Sequence, residues 1–313
     1  MARSAPSSTA PGGGDHGRRA DEAADEEGTQ ALCSVLVAVH GTIVGVLVCT
    51  LGDLLLDVIV RTEDVAGPDA EGTAETRVGA GGQSANVAAW AAELGAQARF
   101  VGKRANDAAA QVAFAELEAR GVEVLGPTAE GRNGVVVSLV DGDGRRTMLS
   151  DRGVAPLLRA EELEMGWLRG CEALHLSGYS LFRNPIAEAA AKAAGAVQAL
   201  GGRLSVDLSS AAGIRASGRD SFLRKLELLR PDVVFGNESE LAALGAEPPA
   251  ATVVVKRGAE GFTVDGQEVP ALPAEVVDST GAGDALAAGY LVGGPELAAE
   301  AAARCVAKLG TMP

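Results

Sequence analysis

The segment Val277-Asp278-Ser279-Thr280-Gly281-Ala282-Gly283-Asp284-Ala285-Leu286 places small residues directly ahead of a helix-forming stretch. The first amides of such a helix have no intrahelical acceptor, and with the positive end of its dipole they form an anion site. Glycines at 281 and 283 let the backbone approach a phosphate closely. A carboxylate at Asp284 stands beside that anion, where it can take a proton from an attacking hydroxyl. The same residues also make a good helix start with no chemistry at all, because Asp is favourable there. Position 286 is Leu, where a dinucleotide fingerprint needs Gly or Ala, and the chain has no Walker lysine loop.

A second glycine-rich turn, Gly79-Ala80-Gly81-Gly82-Gln83-Ser84-Ala85-Asn86, enters another helix. Asn86 offers a donor and an acceptor suited to sugar hydroxyls, although by itself the segment reads better as a tight strand-to-helix turn. A third segment, Asn237-Glu238-Ser239-Glu240, follows a strand and reads as a helix cap with an acid three residues on.

These segments need a scaffold. Short apolar runs at 45–51, 98–101, 122–125, 173–176, 203–207, 233–235 and 252–255 alternate with helical patterns at 84–94, 107–120, 184–200, 219–229 and 238–244, and a last helix starts near Gly283. Such alternation predicts α/β layering with a largely parallel sheet. Several runs end on Ser177, Asp207, Asn237 or Lys256, and in an open α/β sheet ligands bind beyond that edge. Strand-like pieces at 58–61 and 75–78 and a hairpin over 134–149 stand apart. A calcium loop around Asp141-Gly142-Asp143-Gly144 is disfavoured because Arg145 stands where a ligand is required.

Taken in order, Gly81-Gly82-x-x-x-Asn86, Asn237-Glu238-Ser239-Glu240 and Asp278-Ser-Thr-Gly281-Ala282-Gly283-Asp284 resemble the ribokinase-like (PfkB) family of carbohydrate and nucleoside kinases, from about Val46 to the C-terminus. The resemblance implies a ribokinase-like three-layer α/β/α domain over 45–313, with a mostly parallel central sheet and a small β lid from about 58–80 and 134–149. It implies ATP-dependent phosphorylation of a sugar or sugar-acid hydroxyl. Asp284 matches the general base, and Gly281, Ala282 and Gly283 the anion hole. Asp57, in Gly52-x-x-x-x-Asp57, matches a sugar-hydroxyl ligand, joined by Gly81, Gly82 and Asn86. Asn237, Lys256 and Gly258 match the nucleotide side, and Glu240 a magnesium ligand acting through water. Asp278 and Thr280 align with a loop that binds a monovalent cation, K+, in some relatives. Arg152, Ser177 and Asp207 are further candidates for substrate or nucleotide contact. The short stretch after Asp284, broken at Gly294-Pro295, departs from the longer helical section of relatives and leaves nucleotide affinity and cation dependence open. A nucleoside kinase and a non-catalytic ligand-sensing relative remain alternatives, and a homodimer through the lid is a further expectation.

Composition narrows the partners. The 313 residues include 27 Lys and Arg against 42 Asp and Glu, a formal charge of −15, which disfavours a nucleic-acid binder. Aromatic residues are 3% of the chain. Few rings are therefore available to stack a base, which favours a plain sugar or sugar acid over a nucleoside. Cys33, Cys49, Cys171 and Cys305 lie in separate apolar stretches and read as buried thiols; His16, His40 and His175 share no metal-ligand spacing. Residues 1–30 are polar and small, the composition of a disordered tail. The apolar run 31–51 is long enough for a membrane span. Its Val content and the break at His40-Gly41-Thr42 favour buried strands instead, with 31–44 an atypical extension. No membrane partner and a cytoplasmic location are expected, with a membrane-tethered form as the rival.

Overall fold

The stretch Leu-Val-Cys-Thr-Leu, Leu47–Leu51 (β1), is buried from Val48 onward, as a near-continuous apolar run in a central parallel strand must be. A computed structural model describes residues 45–63, 71–142 and 146–313. From β1 the chain runs through β2 (Leu55–Arg61), β3 (Glu75–Gly81), α1 (Gln83–Glu93), β4 (Gln97–Val101), β5 (Arg104–Ala105), α2 (Ala108–Ala119), β6 (Val122–Leu125), β7 (Thr128–Ala129), β8 (Asn133–Val140) and β9 (Arg146–Gly153). It continues as β10 (Ala173–Ser177), α3 (Ile186–Ala199), β11 (Arg203–Asp207), α4 (Ala211–Ser217), α5 (Arg219–Leu229), β12 (Val233–Asn237), α6 (Glu238–Leu244), β13 (Thr252–Lys256), β14 (Phe262–Val264), β15 (Gln267–Val269) and α7 (Ala282–Val306). The expectations for the tail and the apolar extension at 1–44 lie outside the described residues, as does the hairpin turn at 143–145.

Nine strands form one sheet in the order β15-β14-β13-β12-β11-β10-β1-β4-β6. From β13 to β6 every pairing is parallel, and β14 and β15 fold back antiparallel at one edge. One face carries α1, α2 and α7 over a core that includes Trp90, Phe100 and Phe235. The other carries α3, α5 and α6 over Leu174, Leu176, Phe222 and Leu226. This is the α/β layering with a largely parallel sheet that the alternating pattern predicts, in the three-layer α/β/α arrangement that the resemblance implies. The sheet order reverses at β1, which lies between β10 and β4. The carboxyl ends of β1 and β10 therefore splay apart and open a crevice.

A second sheet, ordered β3-β2-β8-β9, stands beside that crevice. Leu55 and Val136 on its inner face pack with Ala155. Its last strand runs on through Ser150-Asp151-Arg152 to Gly153, because an edge strand with one exposed face accepts polar residues.

Helix α7 is interrupted at Gly293 and at Gly294, whose φ of 81° and ψ of −164° suit only glycine. Pro295, which lacks an N–H to donate, restarts the helix. The second half folds back so closely that a Cβ on Gly289 would lie 2.5 Å from the Leu297 carbonyl oxygen. That reversal returns the C-terminal residues to α1, where the Trp90 indole N–H donates to the Thr311 carbonyl at 2.9 Å and Met312 is buried.

Candidate active site

A cavity of about 230 Å³ lies in the crevice, between the second sheet and the start of α7. The turn after β1 brings Asp53 to it, β2 brings Asp57, α1 brings Asn86, β9 brings Arg152, and α7 brings Gly281 and Asp284.

Asp284 is 8% exposed, and its Oδ2 accepts a 2.7 Å hydrogen bond from the Asn86 side-chain amide. The Asn86 Oδ1 in turn accepts from the Thr311 hydroxyl at 3.0 Å, which fixes the amide with its NH2 toward the carboxylate. Burial pushes the Asp284 carboxyl up to about 7, against the opposing pull of the Asn86 hydrogen bond. A carboxylate of that basicity is suited to take a proton near neutral pH.

Gly281 caps α7 in the left-handed region at φ 80°, and a Cβ there would sit 2.9 Å from Thr311 Cα. The regular ladder begins with the Ala285 N–H donating to the Gly281 carbonyl at 2.9 Å. The amides of 282, 283 and 284 thus lie in the first turn, where no intrahelical acceptor exists. Lys256, at the end of β13, reaches the same turn: a Cβ on Gly283 would lie 3.4 Å from its Nζ. The Lys256 ammonium donates to Asp207 Oδ2 at 2.6 Å, and Asp207 Oδ1 accepts from the Ser209 N–H at 2.8 Å. Burial alone would depress the Lys256 ammonium, but the Asp207 and Glu240 carboxylates outweigh it and hold it above its usual value.

Asp57 points across Gly81, where a Cβ would fall 2.1 Å from its carboxyl carbon. Burial and the negative charge of Glu116 raise the Asp57 carboxyl to about 7. Gly82, at φ 98°, passes under the Asp53 carbonyl, which a Cβ would approach to 2.4 Å. The double glycine is therefore what lets β3 enter α1 beneath two acidic residues.

Asn237 and Glu240 lie at the carboxyl end of β12, beside Lys256 in register. They form the reciprocal cap: Asn237 Oδ1 accepts from the Glu240 N–H, and Glu240 Oε2 from the Asn237 N–H, each at 2.9 Å. Gly258 follows β13 with open space where a Cβ would be. Lys256 thus stands between two groups of expected site residues, Asn237, Glu240 and Gly258 on the sheet edge and the Gly281–Asp284 turn.

Residues 46–311 match the pfkB family carbohydrate kinase description. The chain belongs to the pfkB carbohydrate kinase family. It is 32% identical over 263 residues to an ATP-dependent ribose-1-phosphate kinase of Halopiger xanaduensis, covering 79% of this chain and 84% of that one. The adenosine kinase structure from Sinorhizobium meliloti superposes with a TM-score of 0.75 at 27% identity, over 85% of this chain and 95% of that one. An E. coli protein assigned as a ribokinase II, solved with ATP and Mg2+, gives 0.72 at 25% identity, over 85% and 94%. The fold is ribokinase-like, and the protein is a phosphotransferase of the sugar-kinase type.

In this pfkB protein Arg152, one of the expected candidates for substrate or nucleotide contact, lines the cavity and is held by a neighbouring carboxylate. Arg152 grips Asp53 through two bonds, Nε to Oδ2 at 2.5 Å and Nη2 to Oδ1 at 2.8 Å. It also donates to the Tyr179 carbonyl at 3.1 Å, with its guanidinium 5.5 Å over the Tyr179 ring. Thr311 and Gln83 also line the cavity, and no motif in the sequence pointed to either. Ser177 pairs with Ser180 inside the core at 3.3 Å. His175 is a core residue, 0% exposed, bonded through Nδ1 to the Ser205 hydroxyl and pushed by burial down to about 4. Cys49, Cys171 and Cys305 are buried free thiols.

Magnesium fits the edge residues of this pfkB site. Among the described residues no group of three or more potential ligands forms a metal cage, but Mg2+ keeps its waters and uses one or two carboxylates plus phosphates. Glu240, 5% exposed at the sheet edge, suits that arrangement. K+ does not fit Asp278 in the same way. Its Oδ1 accepts from the Thr280 N–H at 2.7 Å and its Oδ2 from the Gly310 N–H at 3.0 Å, and the Arg146 guanidinium lies 2.6 Å from Oδ1. Among the described residues no helix is long and apolar enough to cross a membrane.

Proposed function

We propose that this protein transfers the γ-phosphoryl group of ATP to a hydroxyl of a sugar or sugar acid, with Asp284 as the general base. The observation that carries this reading is the buried Asp284 carboxylate, hydrogen-bonded to Asn86 and facing the acid-lined cavity from the first turn of α7. The acceptor hydroxyl loses its proton to Asp284 as its oxygen bonds to phosphorus, and ADP leaves on the opposite side. The amides of Gly281, Ala282 and Gly283 hold the migrating group, and Lys256 lends its charge beside Gly283. Phosphoryl transfer passes through a loose transition state, so positioning and charge stabilisation outweigh base strength. Asp57 and the second N–H of Asn86 orient the acceptor, with Gly81 and Gly82 giving it room. Asn237, Lys256 and Gly258 line the nucleotide side. Glu240 would hold magnesium through water, and the ion would supply neutralisation of the phosphate charge. The second sheet covers the cavity and excludes water that would otherwise take the phosphoryl group.

Charge favours an uncharged sugar. Asp53, Asp57 and Asp284 line the cavity against Arg152, which is already paired with Asp53. A sugar acid could recruit that arginine. A nucleoside is the second reading, supported by Tyr179 in the cavity wall and by the adenosine kinase likeness. ADP release measured with ATP and magnesium over a panel of sugars, sugar acids, ribose 1-phosphate and nucleosides distinguishes them. Turnover on a sugar or sugar acid that disappears in Asp284→Asn supports the reading. Calorimetric binding with no product from any acceptor would make the protein a sensor.

A further inference from the structure

The carboxylate of Asp278 is 3% exposed and bridges two backbone segments: the Thr280 N–H on Oδ1 and the Gly310 N–H on Oδ2. Gly281 lies between those segments, close enough to Thr311 that no Cβ fits. Asp278 therefore sets the shape of the turn that presents the first amides of α7. A buried carboxylate in such a place needs a counter-charge, and here it comes from another part of the fold. Arg146, the first residue of β9 in the covering sheet, places Nη2 2.6 Å from Asp278 Oδ1, with its side chain 21% exposed. A second arginine of that sheet, Arg77, donates to the Leu309 carbonyl at 2.6 Å, one residue before Gly310.

We infer that Arg146 is the built-in cation of the anion hole: its guanidinium takes the place of a bound monovalent ion at Asp278 and joins the seating of the covering sheet to the geometry of the Gly281–Gly283 amides. Arg146 is a positioning residue, acting through Asp278 on the turn. The inference rests on the phosphotransfer reading above. It means that the amides are correctly aimed only when the sheet over the acceptor is in place, and that the protein works without potassium.

The test compares wild type, Arg146→Met, Arg146→Lys and Arg77→Met in potassium chloride and in tetramethylammonium chloride at equal ionic strength. Wild-type turnover and melting temperature should be the same in both salts. Arg146→Met should lose roughly 10²-fold in kcat while both KM values stay within about threefold, since a misaimed group slows the chemical step more than it weakens binding. Potassium or millimolar guanidinium should recover much of that loss, and Arg146→Lys should fall between. Arg77→Met, which loses a bond to a backbone carbonyl only, should stay close to wild type. The inference is overturned if potassium activates the wild type, if Arg146→Met keeps its kcat, or if its loss is restored by neither cation nor by lysine. A wild type inactive on every acceptor counts against phosphotransfer itself. The melting curves still decide Arg146 in that case: potassium or guanidinium must stabilise Arg146→Met and leave the wild type unmoved, and any other pattern refutes the assignment.

Discussion

Replacing Asp284 with Asn should make the protein more stable while removing its activity, and the gain should depend on pH. In the folded protein burial raises this carboxyl from an ordinary 3.8 to about 7. The folded state thus binds the proton more tightly than the unfolded chain. The group's contribution to stability is fully present below about pH 4 and is lost as pH rises through 7. By pH 8 the difference between 3.8 and about 7 corresponds to a penalty of the order of 4 kcal/mol. Asn carries no charge, and its side-chain oxygen can keep the hydrogen bond from the Asn86 amide. Its NH2 group must still be accommodated in the cavity, so a net gain of about 2–3 kcal/mol is expected at pH 8. For a chain of this size that is a rise of very roughly 5 °C or more in melting temperature. Thermal denaturation of both proteins at pH 8, 6 and 4.5 measures it: the gain should shrink steadily toward the acid end. Asp57 also titrates, but it does so in both proteins and cancels in the comparison. Activity in the same variant should fall by roughly 10²–10⁴. A variant less stable than wild type at pH 8, or a gain that does not change with pH, refutes the burial argument.

Three other outcomes are expected. The pH profile of kcat/KM should rise with an apparent midpoint near 7, because burial raises the Asp284 carboxyl, and burial with the Glu116 charge the Asp57 carboxyl, each to about 7; a plateau down to pH 5 contradicts it. Gly81→Ala drives a Cβ into the Asp57 carboxyl at 2.1 Å and should raise the acceptor KM by about tenfold or more while nucleotide KM is spared; steady-state kinetics in both substrates checks it. Arg152→Ala leaves Asp53, whose side chain is 7% exposed, without its partner and should lower stability by about 3 kcal/mol in urea unfolding.

Local sequence carried the parts of this fold whose signal is local. The strands Val122–Leu125 and Arg203–Asp207 and the helices Arg219–Leu229 and Glu238–Leu244 lie where the patterning puts them, because each is a compact apolar run or a capped amphipathic stretch. The strands β14 and β15, three residues apiece, are too short to show a period. Beyond the Gly294-Pro295 break a second helical segment runs to Val306, since the glycine pair leaves the helical backbone and the proline opens the next segment. The site divides along the same line. The glycine turns and Asp284 were legible because helix-start chemistry is written in consecutive residues. The grip of Arg152 on Asp53 spans 99 residues, and the Thr311 bond to Asn86 spans 225. Such pairs are made by the topology of the sheet and leave no mark in the spacing of the chain.

The reversal of α7 at Gly293 and Gly294 makes the acid answerable to a distant stretch of chain. It delivers Thr311 to Asn86, and through Asn86 to Asp284, so the carboxylate takes its orientation from a segment beyond the far end of its own helix. A substitution that unseats that segment can leave every strand of the parallel sheet in place and still silence the protein.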